Sequence, residues 1–196
     1  MNHFFDVGAN TGQTFDKFLL NTNDYDGCKI WCFEPSPRNM NGLVETAKRV
    51  SGWAEKGVHD FDVVVCPFGL WDKAGTLGFY EKSDALDPYG RENGEGDSFK
   101  ENWITNNKAG YKIYASVVST SQFILDNTSA DDRITIKLDC EGGEYKILED
   151  LLKNSDVMRR IQKIFIEWHT TDEEYKKQGL IDAFKEAGVT VELWPY

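Results

Sequence analysis

Short apolar runs alternate with amphipathic, helix-like stretches along almost the whole chain. This alternation constrains the fold more than any other feature. Strands separated by helices cannot pair as hairpins, so they line up in a mostly parallel sheet with helices on both faces. The runs begin at His3–Val7 and continue at Lys29–Phe33, Phe61–Phe68, Ile134–Leu138, Ile161–Trp168 and Val189–Trp194. Helical patterns are predicted from about Thr11 to Leu20, from Pro35 and Pro37 to about Ser51, near Ser119–Asn127, over Glu144–Leu152 and over Glu173–Ala187, with Gly188 as its stop. Phe61–Phe68 is wholly apolar apart from Asp62 and is expected at the centre of the sheet. Gly75–Tyr80 and Lys112–Val118 are expected to be further strands, antiparallel to each other.

The chain of 196 residues is long enough for one sizeable core, and residues 1–196 are expected to form a single domain. The stretch Glu81–Gly110 is polar and glycine-rich, the best candidate for a loop or lid, taken as about residues 81–111. Aromatic residues there and just after it, Trp103, Tyr111 and Tyr114, could stack on a sugar ring or simply anchor the loop.

Charge and cysteine content narrow the partners. A net charge of −11 repels phosphate backbones and anionic lipid, so neither nucleic acid nor membrane is expected as partner. Cys28, Cys32, Cys66 and Cys140 form no CxxC pair and read as reduced thiols, the first two on one strand face. No apolar run approaches a membrane span, and a cytoplasmic location is expected. Nothing in the sequence assigns an oligomeric state.

The chemistry-bearing residues cluster where runs end. Asp6-Val7-Gly8-Ala9-Asn10-Thr11-Gly12 takes a strand through a glycine turn into a helix. Its glycines are spaced GxxxG, not GxGxxG, and Asp6 precedes the first of them. A carboxylate there suits a cofactor carrying an ammonium group, as the methionine part of S-adenosylmethionine does, and would repel a dinucleotide pyrophosphate. A tight turn without a ligand is the plain alternative. Glu34 ends the second run, where an acid can accept hydrogen bonds from both ribose hydroxyls. Phe68 ends the third, either against an adenine ring or in the core.

Lys137-Leu138-Asp139-Cys140-Glu141-Gly142-Gly143-Glu144 follows the next strand with three acids. Acids near a sheet core are costly, which marks Asp139 as functional, whereas Glu144 is also a natural helix start. Ile164-Phe165-Ile166-Glu167-Trp168-His169 again ends in an acid and a histidine.

The segments FDVGANTGQ, FEPSP, LWDKAGTLGFY, IKLDCEGGEYKILEDL and FIEWH occur in the order seen in FkbM-type methyltransferases, and the chain resembles that family from residue 4 to about 170. The resemblance implies a Rossmann-like, doubly wound, seven-stranded sheet with one antiparallel strand near its end. It implies an S-adenosylmethionine-dependent O-methyltransferase acting on hydroxyls of small molecules or sugars. By the same resemblance Asp6, Gly8, Asn10 and Gly12 line the methionine part and Glu34 holds the ribose. The chain starts at the first strand, where many relatives carry further segments, so closure over the substrate is expected mainly from Glu81–Gly110.

In-line transfer needs the acceptor aligned and its proton removed. His169 is the expected base, with Asp139 or Glu167 orienting it. A divalent metal is not required; if one takes part, Asp139, Glu167 and His169 would hold it. The competing reading is a binding module that keeps the nucleoside pocket without catalysis; the retained acids favour an enzyme. A nicotinamide-dependent dehydrogenase fails on glycine spacing and on Asp6.

Overall fold

The computed structural model describes residues 1–52, 59–82, 96–99, 110–169 and 172–195. Its strands are β1 (Asn2–Val7), β2 (Lys29–Phe33), β3 (Asp62–Cys66), β4 (Gly69–Trp71), β5 (Gly75–Lys82), β6 (Gly110–Ser119), β7 (Arg133–Leu138), β8 (Ile161–Ile166) and β9 (Thr190–Leu193). Its helices are α1 (Gln13–Lys17), α2 (Pro37–Ser51), α3 (Thr120–Asn127), α4 (Glu144–Leu152), α5 (Ser155–Met158) and α6 (Lys177–Glu186). Short 3₁₀ turns follow α1 at Leu19–Asn21 and precede α6 at Glu174–Lys176.

The main sheet runs β3-β2-β1-β7-β8-β9, and every pairing in it is parallel. This is the α/β fold anticipated, with six strands instead of seven and no antiparallel member of that sheet among the described residues. The physical reason lies in the last crossover. The α6 helix carries the chain back across the sheet before β9 forms, so β9 runs with β8. The antiparallel pair is β5 with β6, in a separate three-stranded sheet ordered β4-β6-β5.

Side-chain alternation along the central strands divides the core in two. Phe5, Val7, Trp31, Phe33, Ile134, Ile136 and Leu138 face α3, α4 and α6, which contribute Ile124, Tyr145, Leu148, Leu151, Leu180 and Phe184. Phe4, Cys28, Ile30 and Cys32 face the other way, onto Phe15, Leu19, Leu43 and Val50. Each fully buried Leu, Ile or Phe contributes roughly 1.5–3 kcal/mol of transfer free energy. Cys28 and Cys32 share a face as expected, and all four cysteines are free thiols.

One placement differs from expectation. The valine-rich β3 lies at the sheet edge, with Val63, Val64 and Val65 only half-buried. Its apolar character serves packing on both faces, Val64 against one core and Val63 and Val65 against the other. Periodicity reports burial of faces; it does not report how many neighbours a strand has.

The chain builds outward from β1 to β3 on one side, then returns to the other side of β1 with β7. The strand order therefore reverses between β1 and β7, which in open parallel sheets opens a crevice at the C-terminal strand ends. Among the described residues no helix is long and apolar enough to cross a membrane.

Candidate active site

The turn after β1 has a tight, left-handed backbone, with φ of 78° at Gly8, 50° at Asn10 and 90° at Gly12. The two glycines do different jobs. A Cβ on Gly8 would lie 1.8 Å from the carbonyl oxygen of Asp139, so the β1 and β7 exits touch backbone to backbone. A Cβ on Gly12 would meet Thr46 Cγ2 at 2.6 Å, so Gly12 packs the turn against α2. The amides of Gly8 and Ala9 both donate to the Phe33 carbonyl at 3.1 Å, locking the turn to the end of β2.

Glu34 is 5% exposed. Its Oε2 accepts from the Asn10 amide and its Oε1 from the Ser36 amide, each at 2.8 Å. Burial pushes its carboxyl up to about 7, partly offset by those hydrogen bonds. The Asn39 side chain bonds the same carboxylate, which with about four lone-pair sites keeps capacity for a further donor.

Asp6 is fully buried, 3.1 Å from Lys137 Nζ. The same ammonium lies 3.3 Å from Asp139 Oδ2 and donates to the Gly8 carbonyl at 2.9 Å. Burial alone would lower the Lys137 ammonium; Asp6 and Asp139 outweigh it and raise it.

His169 is held from both sides. Its Nδ1 pairs with Glu144 Oε1 at 2.8 Å, and that oxygen also accepts from the amides of Cys140 and Gly142. Its Nε2 lies 3.4 Å from Glu141 Oε2, 3.8 Å from Glu167 Oε1 and 4.0 Å from Asp139 Oδ1. Burial disfavours the imidazolium, but the Glu144 hydrogen bond and the charges of Glu141, Glu144 and Asp139 prevail and raise it to about 9. Burial pushes Glu141 up to about 7 against the pull of His169, and also raises Glu167.

Gly8, Asn10, Glu34, Asp139, Glu141 and Glu167 border one cavity of about 330 Å³ at the C-terminal strand ends, within the ordinary size of a ligand cleft. In this lining Glu34 follows β2, Gly8 and Asn10 lie in the turn after β1, and Asp139, Glu141 and Glu167 follow β7 and β8. Trp71, Phe79 and Phe99 add an aromatic wall.

A family model, the methyltransferase FkbM domain, matches residues 6–189. The chain belongs to the FkbM methyltransferase family. Neither the curated proteins nor the solved structures contain a match.

The FkbM match spans both halves of the cavity wall, and the site residues read from sequence fall into two groups. Gly8, Asn10, Glu34, Asp139 and Glu167 come together on the wall. Asp6, Gly12, Phe68 and His169 stand behind it. Phe68 lies against Phe33 and Phe123, each with ring centroids 6.0 Å apart, in the core.

Two acids to which sequence reasoning gave no catalytic role stand in the candidate site, Glu141 on its wall and Glu144 behind it. Glu144, not Asp139 or Glu167, takes the orienting position on His169 Nδ1. Helical side chains lean toward the helix N-terminus, so an acid in the first turn reaches back over its own entry loop. That signal was present in EGGE. Glu141 sits at φ 54°, which aims it differently from an extended residue, and nothing local announced this. Asp139, Glu141 and His169 each offer one donor atom within 4.8 Å of one another; the set a divalent cation could take thus includes Glu141 where Glu167 was expected.

Across the cavity mouth, Asp97 pairs with Arg38 and accepts from Ser36 Oγ, while Ser98 Oγ donates to the Glu141 carbonyl at 2.6 Å. Residues 83–95 and 100–109 of the expected lid, Trp103 included, lie outside the described residues. Tyr111 and Tyr114 are exposed on β6.

Proposed function

We propose that this FkbM methyltransferase uses S-adenosylmethionine and methylates a hydroxyl oxygen of a small molecule or sugar. The observation that carries the reading is the division of one cavity. A hydrogen-bonded carboxylate, Glu34, follows β2 on one side of β1, and the carboxylates Asp139, Glu141 and Glu167, with His169 beside them, follow β7 and β8 on the other side. Glu34 takes the ribose hydroxyls. The backbone of Gly8 and Asn10 borders the methionine part, with Asp6 and Gly12 shaping that turn from behind. When bound, the cofactor supplies a methyl carbon already activated by its sulfonium.

The chain's own task is then alignment and proton removal. Asp139, Glu141 and Glu167 orient the acceptor hydroxyl. With its imidazole raised to about 9, His169 is cationic near neutral pH and stabilises the developing oxyanion charge indirectly. Glu141, poised near 7, takes the acceptor proton. The imidazolium offsets part of the negative charge of these carboxylates, and the proposed step calls for no metal. Turnover abolished by chelation and restored by Mg²⁺ or Mn²⁺ would instead assign Asp139, Glu141 and His169 to a cation.

Calorimetric titration with S-adenosylhomocysteine, with NAD as control, tests the cofactor. Saturable binding of the homocysteine compound alone, lost in Glu34→Ala, is expected. No binding by folded wild-type protein would overturn the reading. His169→Ala is expected to keep that binding and lose turnover.

A further inference from the structure

Lys137 has no part in the proposed reaction, yet its ammonium is buried in the core and held by groups of the site. It sits within β7, beside Asp6 of β1 in register, in a run (Ile134-Thr135-Ile136-Lys137-Leu138) that is otherwise suited to plain apolar packing. Its side chain is 3% exposed. Burying an ammonium in a parallel sheet is costly unless every proton finds an acceptor. Lys137 donates to the Gly8 carbonyl and stands at ion-pair distance from two carboxylates, 3.1 Å from Asp6 Oδ1 and 3.3 Å from Asp139 Oδ2.

The identity of those partners matters more than their number. Gly8 belongs to the cavity-lining turn after β1, which is bonded to the Phe33 carbonyl next to Glu34. Asp139 belongs to the cavity-lining exit of β7, which leads on to Glu141. With Oδ2 on Lys137, the other oxygen of Asp139 faces His169 Nε2 at 4.0 Å. Asp6 is not part of the cavity lining and serves as the buried counter-charge. A salt bridge needed for stability alone would require Asp6 and Lys137 only.

We propose that Lys137 is a positioning residue of the methyl-transfer site, its ammonium holding the Gly8 carbonyl and the Asp139 carboxylate in fixed relation across the switch point. This rests on the S-adenosylmethionine reading above. Lys137 also neutralises part of the charge that Asp139 presents to the cavity. Its loss therefore changes how the site treats the cationic sulfonium of S-adenosylmethionine relative to the neutral thioether of S-adenosylhomocysteine.

The experiment compares wild type, Lys137→Met, Lys137→Met with Asp6→Asn, and Lys137→Arg, by thermal unfolding and by titration with each compound. Lys137→Met alone strands Asp6 and is expected to unfold at lower temperature. The double variant removes both charges and recovers most of that loss. It is still expected to bind S-adenosylhomocysteine about tenfold more weakly, the scale of one lost charge-assisted hydrogen bond. Its affinity ratio shifts toward S-adenosylmethionine, because Asp139 is no longer neutralised. Lys137→Arg keeps the charge but cannot reproduce three contacts from one point, and is expected to fold and bind weakly; it decides the matter if the double variant does not fold. Wild-type affinity and an unchanged ratio in the double variant, or wild-type binding by Lys137→Arg, would overturn the assignment alone. No binding of S-adenosylhomocysteine by wild type overturns the cofactor reading and this assignment with it.

Discussion

Glu144 Oε1 lies 2.8 Å from His169 Nδ1, joining the buried first turn of α4 to the loop that leaves β8. The pair fixes the imidazole with Nε2 toward Glu141, Glu167 and Asp139. NMR titration of His169 is expected to give a midpoint near 9 in wild type. In Glu144→Gln the midpoint falls toward the ordinary histidine value of about 6.5. The folded value lies above the unfolded one, so the stability this group contributes is full below about pH 6.5 and is lost as pH rises through about 9. Thermal unfolding should show that loss in wild type and a flatter profile in His169→Gln. An unchanged midpoint in Glu144→Gln would transfer the effect to the three other carboxylates.

Glu34 gives cofactor binding its own pH dependence. Its carboxyl is pushed up to about 7, and only the ionised form has full capacity to accept from ribose hydroxyls while keeping the Asn10 and Ser36 amides. Affinity for S-adenosylhomocysteine should therefore rise from pH 5.5 and level off above about pH 7–8. Glu34→Gln should bind weakly and without that trend. A wild-type affinity flat across the range would separate Glu34 from the ribose.

The two turn glycines are predicted to fail differently. Gly8→Ala drives a Cβ into the Asp139 carbonyl at 1.8 Å, a backbone atom that cannot move without displacing β7. A loss above about 3 kcal/mol, or no folded protein, is expected. Gly12→Ala meets a side chain, Thr46, at 2.6 Å and adds left-handed strain, for a loss of about 1–3 kcal/mol. Thr46→Ala should recover part of the second loss and none of the first. Chemical denaturation measures both.

Arg38 and Asp97 close one side of the cavity mouth, with Asp97 only 4% exposed at its side chain. Asp97→Asn weakens that tie and the bond from Ser36 Oγ. Hydrogen exchange at Ser98, whose amide donates to Tyr80, should quicken, and S-adenosylhomocysteine should dissociate about tenfold faster. Unchanged exchange and dissociation would mean that other contacts hold residues 96–99.

Much of the site was legible because its signals are local. Gly8, Glu34, Asp139 and Glu167 each end an apolar run, and chain ends at one sheet edge must gather there. The roles of Lys137, Glu141 and Glu144 were not legible. Nothing beside Lys137 in the sequence announces its partner Asp6, which is 131 residues away. Glu144 carried a sufficient explanation as a helix start, and its reach to His169 depends on how α4 and β8 stand together. Gly12 was read toward the ligand and Phe68 was left between an adenine ring and the core, because a glycine spacing or a strand-end aromatic does not say which neighbour it faces.

By itself the sequence determined the alternation of strands and helices, the strand ends and the turn chemistry. Those follow from side-chain period and backbone freedom within a few residues. The FkbM motifs are likewise contiguous stretches. Only the tertiary structure decided that β3 lies at the edge, that β9 runs parallel, and that Glu144 holds His169 while Lys137 holds Asp139 and Gly8. These depend on strand order and on side-chain directions between elements far apart in the chain, which the pattern within any one element does not encode.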